Sequence, residues 1–175
     1  MIIYRLATIG DVSELREVAK KTWIDTFGEK YSKSTVDRVV NNTRSIEYIK
    51  NSVERFVTIL AIDSSNNSIV GYLQITTLDG IIHKLFDTFD DDRQIDRLYI
   101  LKEFQEQKIG TTLLTMAMEH EYLNDCSNLY IEVDKVNPRA QKLYEAFGFV
   151  ATGKENPFIE DGIQVGADNI LLKKL

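Results

Sequence analysis

Arg97-Leu98-Tyr99-Ile100-Leu101-Lys102-Glu103-Phe104-Gln105-Glu106-Gln107-Lys108-Ile109-Gly110-Thr111-Thr112-Leu113-Leu114 changes character twice along its length. Gln94 to Leu101 has the composition of a strand, with Ile95, Leu98, Tyr99, Ile100 and Leu101. A polar stretch follows, and from Gly110 to about Asn124 the apolar residues Leu113, Leu114, Ala117 and Tyr122 recur at helical spacing. The segment therefore predicts strand, short loop, helix. A helix that starts after such a turn exposes backbone N–H groups backed by the positive end of its dipole. That arrangement binds phosphate or pyrophosphate without many cationic side chains. An ordinary strand-to-helix connection has the same outline, and the single Gly110 leaves both readings open. The loop is neither a Walker A loop nor a three-glycine dinucleotide fingerprint.

On the N-terminal side, Ile2 to Leu6 reads as a strand. Asp11, with Glu14 three residues on, suggests a capping box for a helix carrying Val12, Leu15, Val18, Ala19 and Trp23 and stopping at Gly28. Ser34 to Asn41 and Ser45 to Val53 predict two shorter helices. Phe56 to Ile62 and Ser68 to Thr76 flank Asp63-Ser64-Ser65-Asn66-Asn67, which predicts a hairpin. The stretch from Thr77 to Asp92 closes in the acidic run 87–92, read as a solvated loop, with the wall of a cation-binding site as the other reading. On the C-terminal side, Leu129 to Val133 is a strand, and Asn137 caps a helix with Pro138 in its first turn. Ala140, Leu143, Tyr144 and Phe147 fall on one stripe of that helix, which Gly148 terminates. Segments 149–154 and 164–172 read as two last strands. Two prolines and no Pro/Gly/Ser-rich linker predict one domain over residues 1–175, a mixed α/β fold with helices packed on a central sheet.

Composition narrows the function. The 175 residues carry 21 Lys plus Arg against 27 Asp plus Glu, a net charge of −6. A phosphate backbone is usually met by a basic face, so nucleic acid is not the expected partner, whereas a cationic solute is compatible. Cys126 is the sole cysteine and His83 and His120 the sole histidines, which excludes a disulfide framework and argues against a metal site. No charged n-region leads into a long apolar run at the start, and no run approaches membrane-spanning length. A cytoplasmic protein with no membrane partner is the expectation.

Two segments together resemble the GNAT superfamily of N-acetyltransferases. Gln105 and Gly110 stand at the ends of a stretch similar to that family's acetyl-CoA loop, Arg/Gln-x-x-Gly-x-Gly/Ala. Asn137, Ala140, Tyr144, Gly148 and Phe149 match its Asn-x-x-Ala-x-x-x-Tyr-x-x-x-Gly-Phe helix. The resemblance implies a mixed, mostly antiparallel central sheet flanked by helices, and direct acetyl transfer from acetyl-CoA, used as co-substrate without a metal, to a small-molecule amine. It implies that the backbone of Leu98, Tyr99 and Ile100 pairs with the pantetheine arm. By the same resemblance the amides of Gln105, Glu106, Gln107, Lys108, Ile109, Gly110 and Thr111 cradle the pyrophosphate, with Asn137 on the pantetheine or acceptor side. Tyr144 is the implied general acid for the departing thiolate, its other reading being a core aromatic. Asp96 is the candidate base, acting through water, or else a surface or salt-bridged carboxylate beside Arg97. The segments 23–27 and 96–100 are similar to the PaiA-type group associated with spermidine and spermine, so a polyamine is the expected acceptor. Asp25, Glu29 and the run 87–92 are candidate groups for holding it. A protein N-terminus, an aminoglycoside, or a non-catalytic acyl-CoA sensor are the alternatives. Family members are often dimers, so a homodimer is among the implied assemblies. The sequence departs from the pattern at Lys108, which replaces the loop's first glycine. If that position needs positive φ, lysine costs roughly 1 kcal/mol or more there.

Overall fold

The computed structural model describes all 175 residues. Seven strands form one sheet in the order β1-β2-β3-β4-β5-β7-β6. They are β1 (Ile2–Leu6), β2 (Val57–Asp63), β3 (Ser68–Thr77), β4 (Arg93–Ile100), β5 (Asn128–Asp134), β6 (Val150–Glu160) and β7 (Ile163–Lys174). The helices are α1 (Val12–Phe27), α2 (Lys33–Thr43), α3 (Ile46–Arg55), α4 (Gly80–Leu85), α5 (Ile109–Met118) and α6 (Pro138–Ala146). The β1–β2, β2–β3, β5–β7 and β6–β7 pairings are antiparallel and β4–β5 is parallel. This is the mixed, mostly antiparallel sheet with flanking helices that the sequence predicts.

The chain divides into two compact units. The first comprises residues 1–75 and 97–120. Its core joins Leu15, Ala19 and Val18 of α1 and Ile49 of α3 to Leu60, Ile62, Ile69 and Tyr72 of the β2–β3 hairpin. Burying each large aliphatic side chain of this kind stabilises the fold by roughly 1.5–3 kcal/mol. The helix starts follow short-range chemistry. Ser32 accepts from the Thr35 N–H and Ser45 from the Tyr48 N–H. At α1 the cap lies earlier than expected. Thr8 forms the capping box with Asp11 as its third residue, and the Asp11 carboxylate accepts from the Thr8 N–H at 2.7 Å. Asp11 also pairs with Arg5 at 2.7 Å, so its carboxyl sits well below the usual carboxylate range. Glu14 is released from capping and accepts instead from the Ile69 N–H at 2.8 Å.

The second unit comprises residues 76–96 and 121–175. The β4–β5 ladder pairs Arg93–Ile95 with Leu129–Ile131, while β5 pairs along its whole length with β7. Ile82 of α4, Tyr130 of β5 and Ile170 of β7 form this unit's buried cluster. One element here was not predicted, and one expectation fails. The segment after Thr77 contains a helix, α4, whose N-cap Asp79 accepts from the Ile81 and Ile82 N–H groups at 3.0 and 3.1 Å. The acidic run is not uniformly solvated, since Asp92 is 1% exposed and its carboxylate accepts from the Asn128 N–H, the Asn128 amide and the Phe89 N–H. Asp91 likewise accepts from Ser127 at 2.9 Å. These two carboxylates tie the loop down. The α5 helix also stops earlier than expected, at Met118, and Tyr122 is half-buried beneath the Arg93 guanidinium.

Candidate active site

In the first unit the site begins on β4. Leu98, Tyr99 and Ile100 are half-buried, and Tyr99 packs against Tyr72 with ring centroids 6.0 Å apart. The strand is held closely against β3, where the Leu101 N–H donates to the Val70 carbonyl at 2.9 Å. Gly71 permits this approach, because a Cβ there would lie 2.9 Å from the Tyr99 carbonyl oxygen. A 3-10 turn over Lys102–Phe104 follows, and the Gln105 amide returns to the Ile100 carbonyl at 3.2 Å.

The loop then alternates in hand. Glu106 has φ 68° and Lys108 φ 60°, both left-handed, on either side of Gln107. Such alternation turns successive backbone N–H groups toward one concavity suited to an anion. Lys108 is the N-cap of α5 and supplies no side-chain cap, so the first N–H groups, from Ile109 through Thr111, have no intrahelical acceptor. Position 108 thus does adopt positive φ. A run of free donors, a helix dipole and an exposed loop suit a pyrophosphate.

The second unit carries the other expected residues. The Asn137 carboxamide oxygen accepts from the Ala140 N–H at 3.1 Å, which caps α6 as the sequence predicts. Tyr144 lies on the buried side of α6, 6% exposed, with its ring edge-on to Phe149 at 6.0 Å. Gly148 makes the reversal between them at φ 85°, and the Phe149 N–H closes it by donating to the Tyr144 carbonyl at 3.1 Å. Asp96 is exposed and lies 3.5 Å from the Gln94 amide nitrogen.

One titratable residue escapes sequence reasoning. Glu132 on β5 is mostly buried, and burial pushes its carboxyl up to about 8, helped by the negative charges of Asp79 and Asp168. The Asn156 amide, donating to it at 2.7 Å, offsets part of the rise. A glutamate in the middle of Leu129-Tyr130-Ile131-Glu132-Val133 is the one signal the sequence offers, an acid inside an apolar strand. A carboxyl tuned to this range suits proton transfer near neutral pH.

Elsewhere in the first unit, Asp25 and Glu29 at the end of α1 share a cavity of about 490 Å³ with Lys33 and Lys102. Lys102 sits just past the end of β4.

The family model for the acetyltransferase (GNAT) family matches residues 14–149. The chain belongs to the GNAT family. Among its relatives, a probable spermine N(1)-acetyltransferase of Bacillus subtilis subsp. natto is 29% identical over 79 residues, 42% of this chain and 52% of that protein. This chain therefore spans about half the length of that relative. A spermidine N(1)-acetyltransferase of Thermoplasma acidophilum is 29% identical over 132 residues, 73% of this chain and 76% of that one. Among solved structures, a PaiA N-acetyltransferase from Thermoplasma acidophilum in complex with coenzyme A matches with a TM-score of 0.77 at 20% identity. That match covers 100% of this chain and 99% of the other.

In this GNAT-family chain Glu106 and Lys108 hold the left-handed conformation without glycine. A non-glycine residue in this region costs roughly 1–2 kcal/mol.

Proposed function

We propose that residues 1–175 form one N-acetyltransferase domain that moves the acetyl group of acetyl-CoA directly to a primary amine, with a polyamine as the acceptor class. The observation that carries the reading is the uncapped start of α5 behind the left-handed pair Glu106 and Lys108. The family match supports it, as do the polyamine acetyltransferases among the relatives.

Each group has a stated task. Backbone N–H groups of Glu106 through Thr111 hold the pyrophosphate, the Gln105 N–H being already donated to the Lys102 carbonyl at 3.3 Å. The backbone of Leu98, Tyr99 and Ile100 pairs with the pantetheine amides, and a strand N–H polarises the thioester carbonyl, a contact that strengthens as the oxyanion forms. Asn137 contributes a polar contact to the pantetheine arm. The acceptor arrives as an alkylammonium with a pKa near 10 and must lose a proton before its nitrogen attacks. Asp96, through water, and Glu132 are the proton acceptors. Of the two, Glu132 is better matched, because a base near 8 holds a proton from an ammonium far better than an ordinary carboxylate. The new N–C bond forms, the C–S bond breaks, and Tyr144 protonates the departing thiolate.

Asp25 and Glu29 give an ammonium group two counter-charges, although Lys33 and Lys102 leave the cavity balanced overall. A long polycation must therefore find part of its pairing beyond it. The test is release of CoA from acetyl-CoA over a panel of spermidine, spermine, amino acids, peptides and aminoglycosides. Turnover highest with a polyamine supports the reading. Turnover only with peptides or aminoglycosides overturns the acceptor class, and CoA binding without turnover on any amine overturns the enzyme.

A further inference from the structure

The second unit holds a cavity of about 570 Å³ beneath the C-terminal end of α4, lined by that helix, the loop after it and the strand ends of β5, β6 and β7. Its charge is opposite to that of the protein. Lys84, Lys154 and Lys174 face Asp87 alone among the ionised groups of the lining, whereas the chain as a whole carries −6. Aromatic rings form part of its wall. Phe86 and Tyr130 pack as a tilted pair 5.2 Å apart, and Phe89, 62% exposed, also lines it.

Two features distinguish it from a surface depression. Lys154 is fixed, its ammonium lying 4.2 Å over the Phe86 ring and donating to the Leu85 carbonyl at the end of α4. Tyr130 is 2% exposed overall and lines the cavity, and its hydroxyl is not one of the buried side-chain atoms left without a hydrogen bond. Burial, with the Asp92 charge adding to it, pushes the Tyr130 phenol up, so the hydroxyl is present as a donor. Asp92 does not neutralise the lysines directly, because its carboxylate is engaged by Asn128 and the Phe89 N–H.

We propose that this cavity is a second ligand site, for a small molecule with a planar apolar body and one anionic group. The ring lies against Phe86 and Phe89, the anion meets Lys84 and Lys174, and Tyr130 donates to it. Neither lysine is held in an ion pair, so both are available. The site faces the same side of β5 as Glu132, two residues on, at the opposite end of α4 from Asp79. It nevertheless uses none of the groups assigned to acetyl transfer.

The experiment is an amide-resolved NMR titration of the full chain without acetyl-CoA, using benzoate as the probe and benzylamine as the cationic control. Its outcome is therefore independent of the acetyltransferase reading. Benzoate is expected to shift the resonances of residues 84–89 together with Tyr130 and Lys174. The double variant Lys84→Gln/Lys174→Gln, altered only at exposed positions, should weaken the apparent Kd about fivefold. Tyr130→Phe removes only the hydroxyl and should weaken it by a similar factor. The proposal is overturned if benzoate shifts nothing at these residues, if benzylamine binds there as well as benzoate, or if neither variant changes the affinity.

Discussion

Replacing Glu132 by Gln should make the protein more stable and less active at the same time. In an unfolded chain a glutamate ionises near 4.5, whereas Glu132 keeps its proton to about 8. Between those values the unfolded state has released a proton that the folded state still binds, so stability falls as pH rises. The contribution is fully present below about pH 4.5 and is lost on passing through about 8. At about 1.4 kcal/mol for each tenfold change, the interval corresponds to an upper bound on the order of 4–5 kcal/mol. Gln keeps the shape and a hydrogen-bonding oxygen for Asn156, but cannot ionise beside Asp79 and Asp168. Thermal midpoints measured at pH 5, 7 and 9 should therefore fall for the natural protein and stay nearly level for Glu132→Gln. For a chain of this length the gap at pH 9 should reach roughly 10 °C. The depressed Asp11 carboxyl titrates far below this window and does not blur it. If Glu132 accepts the ammonium proton, kcat falls by roughly 10²–10⁴-fold in the same variant. A Glu132→Gln protein no more stable at pH 9 than the natural one would refute the electrostatic reasoning. A stabilised variant with unchanged kcat would leave the electrostatics standing and remove Glu132 from catalysis.

Three further substitutions test other candidate residues. Tyr144→Phe should keep the thermal midpoint within about 2 °C, since the ring still packs on Phe149, while lowering kcat; an unaltered kcat would remove the phenol from the mechanism. Lys108→Gly relieves a left-handed lysine at roughly 1–2 kcal/mol but loosens the unfolded chain by about 0.5–1 kcal/mol, so a small gain of up to about 1 kcal/mol is expected in urea denaturation. A clear loss of stability there would show that the lysine side chain, not the backbone, decides the energy of the loop. Gly71→Ala places a methyl group 2.9 Å from the Tyr99 carbonyl and must push β4 away. Stability should drop by roughly 1–3 kcal/mol and CoA affinity should weaken with it, and calorimetry finding the affinity untouched would separate Gly71 from the cofactor strand.

The parts of the site that were legible are those whose signals are local. Asn137 and Tyr144 are seven residues apart on one helix, and an N-cap plus a 3.6-residue stripe places both without knowledge of the rest of the chain. Thr8 shows the limit of even local signals. Asp11 looked like a cap because Glu14 follows it, but Thr8 stands three residues before Asp11 and forms the box that the structure uses. The α4 helix is only six residues long, too short for any period to appear, and its N-cap Asp79 is followed by Gly80, a poor helix former. Glu132 was illegible for a different reason. Its strand is obvious, but its altered acidity comes from Asp79, Asn156 and Asp168, which belong to three other elements and reach it only through the fold.

The same distinction applies to the loop from Gln105 to Lys108. No propensity predicts a left-handed Glu106 or Lys108, and two such residues together cost roughly 2–4 kcal/mol. A free loop would relax to avoid that cost. This one is constrained at both ends, by the Gln105 amide on the Ile100 carbonyl and by the Lys108 carbonyl accepting from the Thr112 N–H at 3.0 Å. Just beyond it, Ile109 and Gly110 are buried at the base of α5. The strain is thus carried by the fold on either side of the loop. A loop already held in its binding shape does not have to be ordered by its ligand, so less of the binding energy is lost to ordering. Glycine at position 108 would lower the strain and also free the loop to sample other shapes. The affinity of Lys108→Gly for CoA should consequently fall or stay level even as the protein gains stability, and a tighter complex would mean that the strained shape is not the one that binds.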